Sequence, residues 1–224
     1  MAASPKERVK QMAFIETPPP AEAQAGLRAM YLRQQRAWGY VPNYAKVFCH
    51  RPEVMARWGQ LLAEIKRPMS KRRFELVTFV AAHELRHSSC ALAHGRALRE
   101  FFSDEQIIAI AEGRLEGVLG AAERSVVHFA RQVARDASSV SAAQVASLKA
   151  HGCSDAEIFD IAATAAGRAF FTKLLDALGV TPDSAFLAES AAFRQTFSFG
   201  RAIDGSQALT IPPGEPEPTP WESG

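Results

Sequence analysis

The chain has 224 residues, and 47% of them are hydrophobic, so it can form one large domain with a sizeable core. Lysine and arginine together number 26 against 24 aspartates and glutamates, and the net charge of +2 creates no field that would attract nucleic acid or an anionic membrane. No run approaches the roughly 18 uncharged apolar residues of a membrane span. The N-terminal segment also lacks the apolar core of a signal peptide.

The hydrophobic pattern has the period of a helix almost throughout, which predicts an all-α fold. We expect a flexible N-terminus over 1–11 and a single helical domain over 12–204. The segment 205–224 is rich in proline and glycine, which predicts an extended tail or an arm that docks on another subunit.

In the first half, a triple proline precedes a helix predicted over 21–38, and a turn is predicted at 40–44. Pro52 is suited to the first position of a helix that runs to about residue 66. The next predicted helix, 71–84, follows Pro68 and Ser70. We expect the chain to reverse direction near 85–87, although no glycine or proline lies there.

In the second half, three serines are each followed three residues later by Gln or Glu, the pattern of a capping box. These pairs are Ser103 with Gln106, Ser141 with Gln144, and Ser154 with Glu157. Between them, 123–135 predicts a surface helix with one apolar face. The helix predicted over 155–178 has little polar face, which indicates a central buried helix or a subunit interface.

Cys90 and His94 lie four residues apart, so a helix places both side chains on one face, and the thiol is a candidate for activation. In a straight helix, Glu75 would lie about 22 Å from Cys90, too far for any relay. If the chain turns near 85–87, Glu75 can approach His94 across an antiparallel helix pair. Cys90 then lies in the first turn of the second helix, where the dipole stabilises a thiolate and Ser88 or Ser89 is available as the N-cap.

A competing hypothesis concerns metal. The run His83-Glu84-Leu85-Arg86-His87 matches the zinc-protease pattern HExxH, which needs both histidines on one uninterrupted helix. The predicted turn would disable that pattern, and the spacing to His94 differs from that of a metzincin third ligand. A simpler metal site from His83, His87, Cys90 and His94 also stays open if the helix is continuous.

Several segments resemble one known family. They are Arg73-Phe74-Glu75-Leu76 and Cys90-Ala91-Leu92-Ala93-His94-Gly95, together with Gly39-Tyr40-Val41-Pro42-Asn43-Tyr44, His50-Arg51-Pro52-Glu53 and Gly152-Cys153-Ser154-Asp155-Ala156-Glu157-Ile158. The first two segments resemble the alkylhydroperoxidase D-like and carboxymuconolactone decarboxylase family, and the others resemble its peroxidase-related branch. The resemblance covers about residues 12 to 200.

The resemblance implies a multi-helical bundle, assembled into dimers or higher oligomers, with a peroxidase-type mechanism. Carried over by position, Cys90 is the attacking thiol, and Glu75 and His94 relay protons. Where the family pattern has its first cysteine, this chain has His87, and where a second histidine can occur it has Ser89. No disulfide can form within the motif, so an oxidised Cys90 would need an external thiol, or Cys49 or Cys153.

We therefore expect a cytoplasmic, homo-oligomeric, thiol-dependent oxidoreductase of peroxidase type that needs no cofactor or metal. Its partners would be a small molecule, either a hydroperoxide or a small carboxylated compound, and an external thiol reductant, with no nucleic acid and no membrane. His87 is a further candidate because it could lower the thiol pKa or act as a base. Tyr40 and Tyr44 are candidate substrate-binding residues, although turn aromatics also pack over helix ends.

Three alternatives remain open, and the last of them is the zinc hydrolase that the HExxH pattern indicates. A decarboxylase-like enzyme acting on a carboxylated lactone would use Glu75 and His94 as acid and base without thiol oxidation. A non-catalytic protein for small-molecule binding or redox sensing would keep the pocket and have no turnover.

Overall fold

The structure is a computed structural model that describes residues 12–23, 25–206 and 208–211. Every regular element in this part is helical, which confirms the all-α prediction. The described residues form ten α-helices: α1 (Ala25–Trp38), α2 (Asn43–Val47), α3 (Pro52–Lys66), α4 (Lys71–Glu84), α5 (Ser88–Leu98), α6 (Asp104–Ala111), α7 (Ala121–Asp136), α8 (Ala142–Ala150), α9 (Asp155–Ala177) and α10 (Ala191–Phe197). None of these described helices combines the length and the hydropathy that crossing a bilayer requires.

The predicted helix starts depend on side-chain caps, and the structure forms them. All three capping boxes are present, with each serine accepting the third-residue backbone N–H while the Gln or Glu side chain accepts the serine N–H. α3 begins at Pro52, and the Ser70 hydroxyl accepts the Arg73 N–H at the start of α4. Local sequence therefore sets where these helices begin.

Two predictions near the N-terminus are wrong. The helix expected from residue 21 starts at Ala25, because the triple proline leads into a separate 3₁₀ turn, Pro20–Glu22. The expected turn at 40–44 is partly helical, because α2 begins at Asn43. The backbone N–H of Asn43 donates to Asp183 Oδ1 at 2.6 Å. This partner lies 140 residues away, so local sequence cannot reveal it.

α4 is the centre of the bundle and packs against α5, α7 and α9. It is buried without interruption from Phe74 to Ala82, so α4 is the central buried helix, and not the helix predicted over 155–178. α9 also packs against α3, α4 and α7, but Phe159 and Phe170 are 69% and 48% exposed. α9 is thus only partly buried by the chain itself.

The predicted C-terminal tail is described at 205–206 and 208–211. Val41 N–H donates to Leu209 O at 2.9 Å, and the Gln35 side chain forms hydrogen bonds with both the N–H and the C=O of Ile211. Ile211 is buried. This part of the tail therefore packs against the helical domain of its own chain. The predicted N-terminal segment 1–11 lies outside the described residues.

Candidate active site

The turn between α4 and α5 brings the site together. Arg86 adopts a left-handed conformation, with φ of 55°, directly after the end of α4. The N–H of His87 donates to Ala82 O and the N–H of Arg86 donates to His83 O, which closes the helix as a Schellman-type cap does. For a residue other than glycine, this left-handed conformation lowers the stability of the fold by roughly 1 kcal/mol or more. The Arg86 guanidinium lies 5.1 Å from the centroid of the Phe199 ring.

His87 is the N-cap of α5, and the prediction that Ser88 or Ser89 takes this position is wrong. The Nδ1 atom of His87 accepts the backbone N–H of Cys90 at 3.2 Å. Ser88 instead exchanges hydrogen bonds with the backbone of Phe199, because the turn points its hydroxyl away from α5. Cys90 lies in the first turn of α5, as predicted, where the exposed amides and helix dipole favour a negative charge.

Glu75 and His94 meet across the antiparallel pair of α4 and α5. Glu75 Oε2 and His94 Nδ1 lie 2.7 Å apart. Burial opposes ionisation of Glu75, but His94 lowers the pKa of the carboxyl below its usual value. Burial and Arg168 lower the pKa of His94. Because an ionised carboxylate can only accept, a neutral His94 donates its Nδ1–H to Glu75 and keeps a lone pair on Nε2.

Cys90 is 5% exposed and has two positively polarised neighbours. Burial alone would raise the pKa of the thiol, but His87 and Arg168 outweigh it and lower the pKa from 9.0 to about 7. For His87, burial alone would lower the pKa, but Cys90 and Asp176 outweigh burial and raise the pKa overall. Neutral His87 can accept the Cys90 N–H, whereas protonated His87 is a counter-ion for the thiolate. Half of the thiol is thus ionised near neutral pH.

Arg168 is a site residue that the sequence did not predict. It extends from α9, and its Nη1 donates to Cys90 Sγ at 3.3 Å. The side chain is 5% exposed and its guanidinium lies 5.5 Å from the Phe171 ring centroid. A lone arginine within the apolar part of α9 was the available signal, since a buried arginine is rare without a partner.

These side chains face a cavity of about 210 Å³. Ser89, Cys90, His94 and Arg168 line it together with Asp183, which the sequence analysis also missed. Most of the remaining wall is aromatic or aliphatic: Trp38, Tyr44, Met55, Trp58, Leu62, Phe171, Leu175 and Phe186. The volume and this lining suit a small, largely apolar molecule.

The two candidate tyrosines differ. Tyr44 lines the cavity and its hydroxyl donates to Gln34, another lining residue. Tyr40 is buried outside the lining, and among the described residues its hydroxyl has no hydrogen-bond partner. The structure therefore places Tyr44, and not Tyr40, in contact with the cavity.

The zinc-protease hypothesis is wrong because α4 ends at Glu84, between the two histidines of HExxH. His83 packs against the rings of Phe197 and Phe199, with centroids 6.1 and 5.2 Å away. Within the described ranges no group of three or more His, Cys, Asp or Glu side chains is arranged to hold a metal ion. The alternative metal site from His83, His87, Cys90 and His94 is therefore not formed.

All three cysteines are free. Cys153 is buried directly before Ser154, the N-cap of α9, and belongs to a different core cluster from Cys90. Cys49 is half-buried and packs against the cluster that contains Cys90.

The fold and the helix pair place this chain among structures of the alkylhydroperoxidase D-like fold. A peroxidase-related protein from Ralstonia eutropha JMP134, an alkylhydroperoxidase AhpD core, superposes with a TM-score of 0.67 at 22% identity, over 79% of this chain and 95% of that one. A peroxidase-related protein from Silicibacter sp. TM1040 has a TM-score of 0.71 at 20% identity, over 80% and 96%. These likenesses confirm the predicted fold.

A third similar structure is the debrominase Bmp8, a Cys-to-Ala variant in complex with 2,3,4-tribromopyrrole. It has a TM-score of 0.60 at 17% identity, over 76% of this chain and 88% of that one. Models of known protein families give no match to the chain, and neither do curated protein sequences.

Proposed function

We propose that the protein is a thiol-dependent oxidoreductase of peroxidase type, with Cys90 as the attacking thiol. The observation that carries the proposal is the surroundings of Cys90. The thiol lies in a small cavity, and His87 and Arg168 lower its pKa to about 7. Glu75 on α4 and His94 on α5 form a pair beside it, and α5 also carries Cys90. A thiolate at neutral pH with a neighbouring proton relay is what reductive cleavage of a peroxide needs.

In the first step, the Cys90 thiolate attacks the outer oxygen of a hydroperoxide. A sulfur–oxygen bond forms with the electron pair of the thiolate and the oxygen–oxygen bond breaks, which gives a sulfenic acid and an alcohol. His94 Nε2 takes the proton of the thiol and returns it to the leaving oxygen. Glu75 stabilises the imidazolium that forms between these two transfers.

Regeneration of Cys90 calls for an external thiol, because His87 occupies the place of the first cysteine of the motif. One thiol condenses with the sulfenic acid, which releases water and forms a mixed disulfide, and a second thiol reduces that disulfide. The net reaction consumes one hydroperoxide and two thiols.

The test is hydroperoxide consumption with dithiothreitol as the reductant. We expect Cys90→Ser to remove the activity, and Glu75→Gln to lower kcat about 100-fold, the usual contribution of a proton-transfer group. Cys153→Ser is the matched control, because it removes a buried thiol outside the cavity, and it should keep the wild-type rate. Equal rates for wild type and Cys90→Ser would refute the proposal.

The aromatic cavity wall favours a second candidate, reductive removal of halogen from a small aromatic ring. Trp58 and Phe171 stack with a 12° angle between their rings, and Tyr44 meets Phe171 edge to face. Such walls suit a flat ring, and one similar structure is that of a debrominase. Two thiols would supply the electrons that replace carbon–bromine by carbon–hydrogen. Release of bromide from 2,3,4-tribromopyrrole without hydroperoxide turnover would favour this reaction.

The remaining alternatives are outcomes of the same measurements. Turnover of a carboxylated lactone that depends on Glu75 but not on Cys90 would indicate the acid–base enzyme. Ligand binding with no turnover of any of these compounds would indicate a binding or redox-sensing protein.

We also propose a homo-oligomer, as well as a cytoplasmic location for a protein with three free thiols. Val54, Leu61 and Phe170 are all more than 40% exposed and line a common apolar groove between α3 and α9. A contiguous apolar patch of this kind is typical of a contact surface. Analytical ultracentrifugation of wild type and Leu61→Glu tests this assembly, and a monomeric wild type would refute it.

A further inference from the structure

Asp183 is an ionisable group in the cavity that the proposed mechanism does not use. It follows α9 in a segment that leads into the 3₁₀ helix Ser184–Ala188. The side chain lines the same cavity as Cys90 and His94 and is only 7% exposed. A carboxyl group buried in an otherwise apolar wall is costly unless it is hydrogen-bonded, so its surroundings are informative.

One oxygen of this carboxyl is held rigidly. Asp183 Oδ1 accepts the backbone N–H of Asn43 at 2.6 Å. Asn43 is itself fixed, because Lys46 Nζ donates to its Oδ1 at 2.8 Å and its Nδ2 donates to Asp204 Oδ2 at 3.2 Å. Among the described residues no side chain donates to Asp183 Oδ2, and the other backbone N–H that acts on the carboxyl is that of Asp183 itself. The second oxygen is thus available to a molecule in the cavity.

The charges around Asp183 keep it near the point of ionisation. Burial raises the pKa of the carboxyl to about 6, with Asp204 adding to the rise and Asn43 and Lys46 opposing it. The carboxyl is therefore mostly ionised at pH 8 and mostly protonated at pH 5. Lys46 and Asp204 are the charged groups that act on it most. The other titratable groups that line the same cavity are Arg168, His94, Cys90 and Tyr44.

Two tyrosines also lie close to Asp183. The charge of Asp183 contributes to the raised pKa of Tyr40, after burial, and the Tyr40 hydroxyl is buried with no partner in the described structure. Tyr44 is under the electrostatic influence of both Asp183 and Cys90. Asp183 and the Cys90 thiol line the same small, aromatic-walled cavity, so a single molecule bound there can contact both.

We propose that Asp183 Oδ2 accepts a hydrogen bond from the substrate, so that the cavity selects small aromatic molecules with an O–H or N–H donor. This inference deepens the proposed function, because it names the substrate class of the Cys90 cavity. The aromatic walls hold the ring, the rigid carboxylate fixes the donor, and the remaining ring edge faces the thiol. A ring without a donor leaves Oδ2 of the buried carboxylate without a partner, which strongly disfavours the binding of that ring.

Phenol and anisole are a matched pair of probes, since methylation removes the donor and keeps the ring. Binding is measured by ligand-observed NMR titration with Cys90→Ser, which keeps the cavity and removes the reactive thiol. At pH 8 we expect phenol to bind about tenfold or more tightly than anisole. Equal affinities for the two probes, or no binding of either, would overturn the inference.

Asp183→Asn tests the residue itself. Because the Asn43 N–H still needs an acceptor, the new amide turns its NH₂ group toward the cavity, and we expect the preference for phenol to fall to about threefold or less. Asp160→Asn, a charge change on α9 outside the cavity, should keep the tenfold preference. If Asp183→Asn does not fold, lowering the pH to 5 protonates the carboxyl of the intact chain and should weaken the preference in the same direction.

A preference that survives both Asp183→Asn and low pH would refute the role of Asp183. The binding test is independent of turnover. If phenol is preferred through Asp183 but no hydroperoxide is consumed, the proposed function fails and the inference on the ligand stands. If hydroperoxide is consumed but phenol and anisole bind equally, the proposed function stands and the inference on the ligand fails.

Discussion

Replacement of Arg168 by methionine is expected to raise the pKa of Cys90. The guanidinium nitrogen lies 3.3 Å from the sulfur, and at an effective dielectric constant of about 20 this separation gives at most about 5 kcal/mol of attraction for the thiolate. The whole decrease in the pKa, from 9.0 to about 7, corresponds to about 2.7 kcal/mol. Burial opposes this decrease, and His87 shares it with Arg168.

We therefore expect the pKa of Cys90 in Arg168→Met to be about 8 or higher, since at least half of the net stabilisation is lost. At pH 7 the ionised fraction falls from about one half to about one tenth, and alkylation by iodoacetamide slows about fivefold. Above pH 9.5 the two rates should converge. Methionine has a similar length and apolar character, so the buried site can accept it without loss of the fold.

The assay measures the rate of Cys90 alkylation against pH by peptide mass spectrometry, which separates this thiol from the other two. Lys173→Met is the matched control, because it removes an exposed positive charge from the same helix. It should leave the profile of Cys90 unchanged. A pKa for Arg168→Met within 0.3 of the wild-type value would refute the electrostatic argument.

Two further predictions concern stability. Because the pKa of Cys90 is lower in the folded chain than in the unfolded one, unfolding takes up a proton between about pH 7 and 9; the free energy of unfolding should rise over that range by up to about 3 kcal/mol, and urea titrations of Cys90→Ser should lack that rise. Gly95 lies in α5 where an added Cβ would meet the Phe193 ring at 2.9 Å and the Phe79 ring at 3.2 Å. Gly95→Ala should therefore destabilise the protein by about 1–3 kcal/mol despite the better helix propensity of alanine, and thermal unfolding that shows a gain would contradict the close packing.

The helical part of the fold was predictable because its signals are local. The capping boxes, Pro52 and Ser70 mark helix starts through side chains that lie within three residues of the backbone groups they satisfy. The reversal between α4 and α5 was also predicted, although Arg86 performs it in the left-handed conformation where glycine is more usual.

The turn residues show where such reasoning stops. Ser88 and Ser89 are good N-cap residues, yet the cap is His87, because the reversal at Arg86 points its imidazole toward the Cys90 N–H. The start of α2 at Asn43 depends likewise on a distant carboxylate. In both places, the start of the helix depends on groups that the fold brings together and not on the local helix-capping propensity.

The amino-acid sequence was enough to predict a helical protein, a helix pair that can bring Glu75 beside His94, and a Cys90 that lies one turn from His94. The chemical state of that thiol and the shape of the cavity in front of it depend on the tertiary structure. Arg168 and Asp183 lie 78 and 93 residues beyond Cys90 in the chain. Periodicity and spacing report contacts within a few turns, whereas charge, burial and a cavity depend on which remote side chains meet.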